Sequence, residues 1–178
     1  MKRIAIALLI MLVWAQDTRA DDESVARGEY LTTILGCGGC HTEGALLGRP
    51  SGEWLAGSRI GVAYTNDDEG RPGVVFPSNL TPDKATGLGG WSRQQIVRAL
   101  RTGKDHQGMQ IIPVMPWANY SLVKDADLQA IAAYLQSLQP VSFDVPDNIP
   151  KGSAPTSRYV RIGVYLFEPT GVGSGEAP

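Results

Sequence analysis

The chain has 178 residues, 43% of them apolar, with 16 basic against 18 acidic side chains and a formal net charge of −2. That length suggests one domain with enough apolar material for a core. The slightly acidic balance argues against nucleic acid as a partner. The only 2 cysteines, Cys37 and Cys40, lie in one short motif, so no disulfide can staple distant parts of the chain.

Lys2 and Arg3 precede an apolar run from Ile4 to Ala15, and Thr18-Arg19-Ala20 offers a small-residue cleavage site before Asp21. This reads as an export signal over residues 1–20. The run is short for a membrane span, and an uncleaved anchor is the alternative because Arg19 is an odd neighbour for a cleavage site. Cleavage would remove three cations and one anion, taking the net charge from −2 to −4. Such a charge permits docking to a basic patch on another protein. No later segment is long and apolar enough to span a bilayer.

Val25, Leu31, Ile34 and Leu35 recur at helical spacing, which predicts a helix over Ser24–Leu35. Gly28 on or beside that face would let another helix cross closely. The helix runs into Cys37-Gly38-Gly39-Cys40-His41, the attachment signature of a c-type haem. Each thiol adds across one vinyl group, and the adjoining imidazole is placed to ligate the iron. Gly38 and Gly39 are expected to let the backbone approach the macrocycle closely. A plain disulfide, a thioredoxin-like redox pair and a zinc site are the competing readings. Zinc lacks ligands, since His106 is the only other histidine, and the dithiol readings leave His41 unexplained.

From Thr42 to Phe76 the chain is rich in glycine, proline and polar residues. Pro50 is a candidate for turning the chain so that a backbone carbonyl meets the other nitrogen of His41. Ile60–Tyr64 and Val74–Phe76 suggest a small hairpin with the loop Asn66–Gly73 between them. Pro82 and the glycines from Gly87 to Gly90 make the next stretch turn-dense. Trp91 is either a donor to a haem propionate or a core residue. Ser92 and Gln95 have capping-box spacing, Ile96, Val97 and Leu100 form an apolar face, and Gly103 ends that helix.

The loop Lys104–Ala118 carries every candidate for a sixth iron ligand: His106, Met109 and Met115. Pro113 and Pro116 stiffen the backbone around Met115 and reduce the entropy lost in presenting its sulfur, which favours Met115. Leu128, Ile131, Ala132, Leu135 and Leu138 then fit one helical stripe, predicting a helix over Asp125–Gln139. Its expected partner is the first helix, with Tyr134 near the crossing. Beyond Pro140 a proline-bearing tail, 141–178, carries strand-forming residues in Tyr159–Phe167 and is expected to wrap over its own domain, 21–140.

The haem motif, the run Asn79-Leu80-Thr81-Pro82-Asp83-Lys84-Ala85-Thr86-Gly87-Leu88-Gly89-Gly90-Trp91-Ser92, the loop Pro113-Val114-Met115-Pro116-Trp117, and Asp127-Leu128 through Tyr134-Leu135 together resemble a class I-type cytochrome c. More narrowly, the chain resembles the cytochrome c domains that accompany periplasmic dehydrogenases in bacteria, over Val25 to Val141. The resemblance implies an all-α cytochrome c fold in which terminal helices cross around one haem, with long irregular loops. It also implies one covalently bound haem c, iron ligation by His41 and Met115, and a periplasmic location. The expected partners are a dehydrogenase as electron donor and an oxidase or another cytochrome as acceptor. Two departures stand out. Many such relatives carry two or three haem domains or a C-terminal anchor, and the last helix here opens at Lys124 where a capping Ser or Thr is usual.

A His/Met-ligated iron is coordinatively full, so the expected role is an electron carrier rather than an enzyme. The alternative is a haem enzyme or sensor whose sixth position opens.

Overall fold

A computed structural model describes residues 21–64, 72–105, 108, 115–154 and 157–162. The expected export signal, His106, Met109, Pro113 and the end of the tail lie outside the described residues. The first helix, α1, occupies 21–34, and Gly36, at φ 73°, breaks it from a short helix α2, Cys37–His41. A left-handed turn of that kind favours glycine. A 3₁₀ turn follows at Ala45–Leu47, then strands β1 (Gly61–Tyr64) and β2 (Pro72–Val75).

Helix α3, Arg93–Thr102, begins at the capping box anticipated from the sequence. The Ser92 hydroxyl accepts from the Gln95 N–H and the Gln95 side chain accepts from the Ser92 N–H at 2.7 Å. Gly103, at φ 65°, closes the helix. A short α4, Trp117–Tyr120, and a longer α5, Asp125–Ser137, complete the helices. The guanidinium of Arg101 joins three of these elements, bonding the Ser121 carbonyl and the Asp125 carboxylate.

The crossing of α1 and α5 depends on Gly28. A Cβ there would fall 2.0 Å from the Ala130 carbonyl oxygen and 2.7 Å from Cβ of Tyr134, so only glycine lets the backbones approach this closely. Arg27 and Asp127 pair at 2.9 Å beside it. Leu31, Leu55, Ile96, Leu100, Leu128, Ile131 and Leu135 are buried together in one core contributed by α1, α3, α5 and the loop after α2. Leu55 is fully buried with φ 61°, a conformation that costs a branched side chain energy and that its surroundings must hold in place.

The expected all-α class does not hold. The strands β3 (Ile149–Pro150) and β4 (Tyr159–Ile162) join β1 and β2 in a four-stranded mixed sheet of order β3-β2-β1-β4. The pair β1–β2 is antiparallel, with Val62 opposite Val75, whereas β4 runs parallel to β1, with Val62 opposite Val160. Ala63, Val74, Phe76 and Ile149 form a second small core on this sheet. The physical reason is that β1 and β2 alone would leave both outer edges unpaired, and the segment after α5 supplies partners for both. Among the described residues no helix is long and apolar enough to cross a membrane.

Candidate functional site

Helix α2 sorts its five residues by side. Positions three and four apart share a helical face, so Cys37, Cys40 and His41 lie together and the intervening glycines fall away from them. The opposite side is covered at Gly38: a Cβ there would meet the Trp54 ring at 2.0 Å, while one on Gly39 would meet nothing within 4 Å. The glycine at position 38 therefore makes room for an indole. Trp54 is held by a hydrogen bond from its Nε1 to the Tyr134 hydroxyl, 3.1 Å away on α5.

His41 Nδ1 lies 2.7 Å from the backbone oxygen of Ser78. A carbonyl only accepts, so Nδ1 carries the proton and Nε2 keeps its lone pair for a metal. Burial pushes the imidazole pKa down, and the Ser78 bond opposes that shift, so the ring is neutral at physiological pH. The carbonyl comes from Ser78, not from the loop that Pro50 turns. Pro50 is exposed and borders a groove with Gly38, Gly39 and Trp54. The main chain reinforces the placement, since the Gly57 N–H donates to the His41 carbonyl at 2.8 Å and the Ser58 N–H donates to Pro77 at 3.0 Å.

Cys37 and Cys40 are half-buried and not bonded to each other. Burial, aided by the neighbouring Cys40 and opposed by a backbone hydrogen bond, pushes the Cys37 thiol up to about 11. Cys40 is also raised by burial. Redox-active pairs work through depressed thiol pKa values, and burial shifts both thiols the other way. Among the described residues no group of three or more His, Cys, Asp or Glu side chains is set to hold a bare metal ion.

Met115 and Cys37 pack against the same buried cluster, as does Trp91. The Met115 carbonyl accepts from the Trp117 N–H at 2.7 Å, and the Pro116 carbonyl accepts from Asn119 at 2.9 Å, so α4 fixes the backbone around the sulfur. Tyr120 at the end of α4 is buried, and burial together with Cys37 and Cys40 raises its phenol to about 12. The Tyr120 hydroxyl donates to the Leu35 carbonyl at 3.4 Å, which sets the end of α4 beside the segment that leads into the cysteine motif. Trp91 accepts from the Gln136 side chain at 3.3 Å through its carbonyl, which ties it to α5.

The donor set fits haem c: two unpaired thiols and a neutral imidazole with a free Nε2 share one helical face, with a thioether on the same core. Trp117 strengthens the fit, because its buried Nε1 has no partner among the described residues. A buried donor of this kind calls for an acceptor, and haem carries carboxylates. Sequence reasoning missed Ser78, Trp54 and Trp117 as site residues. A backbone carbonyl leaves no mark in a sequence, and the packing of Trp54 on Gly38 depends on a loop of irregular course.

Comparison with known proteins agrees. A family model described as Cytochrome c matches residues 25–139. The fructose dehydrogenase cytochrome subunit of Gluconobacter japonicus is 32% identical over 146 residues, covering 82% of this chain and 27% of that protein. The gluconate 2-dehydrogenase cytochrome c subunit of Pantoea cypripedii is 34% identical over 145 residues, 80% of this chain and 30% of its own. The cytochrome c subunit of the quinone alcohol dehydrogenase of Gluconobacter oxydans is 29% identical over 176 residues, 94% of this chain and 33% of its own. The chain thus spans about a third or less of the length of these curated relatives.

Proposed function

Because this chain belongs to the cytochrome c family, we propose that it is a periplasmic electron carrier with one haem c, bound through Cys37 and Cys40 and ligated by His41 and Met115. Bound haem supplies a one-electron Fe(III)/Fe(II) couple. The observation that carries the reading is the 2.7 Å contact between His41 Nδ1 and the Ser78 oxygen on the helix turn that also presents both thiols. This contact fixes the tautomer, aims Nε2 and raises its basicity as a ligand.

The remaining residues position and protect the site. Cys37 and Cys40, as thioethers, would anchor the group to the same helical turn that carries His41. Met115 is the sixth ligand, presented by a backbone that Pro116 and α4 hold rigid. Leu31, Leu55, Leu128 and Leu135 exclude water around them.

The donor is a periplasmic dehydrogenase, and the acceptor is an oxidase or another cytochrome. Support for the donor comes from relatives that are cytochrome subunits of fructose, gluconate and alcohol dehydrogenases. Support for the location comes from the composition of residues 1–20.

The sixth ligand is tested by Met115→Ala. The variant is expected to lose the weak sulfur-to-iron charge-transfer band of the oxidised protein and to bind carbon monoxide when reduced. If Met115→Ala keeps the band while Met109→Ala loses it, Met109 is the ligand instead. Carbon monoxide binding by the reduced unmodified protein at neutral pH would favour a haem enzyme or sensor over a carrier.

A further inference from the structure

The carbonyl that meets His41 belongs to a segment whose position is set by one buried side chain. Asn79, next to Ser78, is 1% exposed, and both ends of its amide are engaged. Its Oδ1 accepts from the Thr81 N–H at 2.9 Å and the Thr81 hydroxyl at 2.7 Å. Its Nδ2 donates to the Thr86 hydroxyl at 3.0 Å and to the Val141 carbonyl at 2.8 Å.

Val141 opens the strap that leaves α5 for the sheet, and further bonds fasten that strap. The Val141 N–H donates to Thr81 Oγ1 at 3.1 Å, the Phe143 N–H donates to Thr86 Oγ1 at 3.1 Å, and the Phe76 N–H donates to Asn148 Oδ1 at 3.0 Å. Val145 packs against Gly57, where a Cβ would fall 2.6 Å from the Val145 side chain and 2.9 Å from the backbone nitrogen of Asn79. Gly57 is also the residue whose N–H donates to the His41 carbonyl. The strap, Asn79 and the two main-chain contacts of His41 therefore form one connected unit.

We propose that Asn79 is a positioning residue for the His41 ligand, locking the Ser78 carbonyl against Nδ1 by tying its segment to Thr86 and to the strap at Val141. The proposal rests on the haem reading above and deepens it: part of the reduction potential is set from the strap. The direction follows from the chemistry. A firm Nδ1–H···O=C bond gives the imidazole more anionic character, which favours Fe(III) and lowers the potential. Loosening the segment weakens the bond and raises the potential. Val and Ser replacements at Thr86 separate the effect from general loss of stability, because serine keeps the hydroxyl and valine keeps the volume.

The test uses the full-length haem protein as Asn79→Ala, Thr86→Val and Thr86→Ser, with Arg27→Ala as a control at the α1–α5 crossing, remote from the strap bonds. Potential is measured by spectroelectrochemistry, and solvent exchange of the His41 Nδ1–H by NMR of the reduced, ¹⁵N-histidine-labelled protein. Asn79→Ala is expected to raise the potential and to speed exchange by roughly ten-fold or more, the equivalent of about one lost hydrogen bond. Thr86→Val should move both in the same direction by less, Thr86→Ser should restore them, and Arg27→Ala should change the melting temperature alone. Should Asn79→Ala fail to mature, Thr86→Val against Thr86→Ser decides. The proposal is overturned if the variants melt earlier but keep the original potential and exchange rate. An unmodified protein lacking covalent haem would refute the function itself, and that result is visible before any variant is made.

Discussion

Trp54 and Tyr134, 80 residues apart, are joined by a 3.1 Å hydrogen bond from indole to phenol. The bond links the loop that covers Gly38 to the helix that crosses Gly28, so one contact serves both the haem-motif helix and the α1–α5 crossing. Two glycines that look equivalent in the motif consequently differ in what they tolerate.

Gly38→Ala would drive a methyl group into the Trp54 ring, 2.0 Å away. Overpacking of this kind costs about 1–3 kcal/mol, and part of that loss should appear as a lower yield of haem-bearing protein. Gly39→Ala meets nothing within 4 Å, and removing glycine flexibility from a helix is expected to leave stability unchanged or raise it by about 0.4–1 kcal/mol. Denaturant unfolding of the two variants checks the contrast. Equal losses would mean that Trp54 does not hold its place against the motif.

Helix α5 opens without a side-chain cap. Lys124 occupies the N-cap position with extended backbone (φ −60°, ψ 148°) and makes no capping bond. Serine there would accept from an N–H of the first turn and remove a cation from the positive end of the helix dipole. Lys124→Ser is expected to stabilise the protein by ~1 kcal/mol, seen as a shifted urea midpoint. An unmoved midpoint would show that water already satisfies that turn.

Asp83 holds the turn between the strap contacts and α3. One carboxylate oxygen accepts from the Ala85 N–H, the Thr86 N–H and the Thr86 hydroxyl at 3.1, 2.7 and 2.8 Å. These bonds, those from Thr86 first, hold its pKa below the ordinary aspartate value. A depressed carboxylate contributes stability above its unfolded pKa and loses that contribution as pH falls through its folded pKa. Melting temperatures measured from about pH 5 to about pH 2 should therefore fall less steeply in Asp83→Asn than in the original protein. Parallel curves would show that the carboxylate's charge adds nothing to the turn.

The parts of the fold legible in the sequence are those set by local chemistry. The capping box at Ser92 and Gln95, the glycine stop at Gly103 and the helix beginning at Asp125 all follow from nearest-neighbour physics. The sheet was only half legible. The stretches around β1 and β2 suggested a hairpin, but the parallel pairing of Gly61 with Tyr159 is a choice between distant segments that neither one encodes alone. The site divides in the same way. The spacing of Cys37, Cys40 and His41 announces its chemistry, whereas Ser78 contributes only a carbonyl, which every residue has. Asn79 stood in plain view ahead of Thr81 and Pro82, yet its turn-forming character hid the wider network that its amide completes.

The central claim is a covalent bond between this chain and one haem, and intact mass of the exported protein under denaturing conditions tests it most directly. The expected result is the mass of a chain beginning at Asp21 plus one haem, with Cys37 and Cys40 both resistant to alkylation. The mass of the chain alone, with both thiols alkylated or with haem extracted by acid acetone, would contradict it.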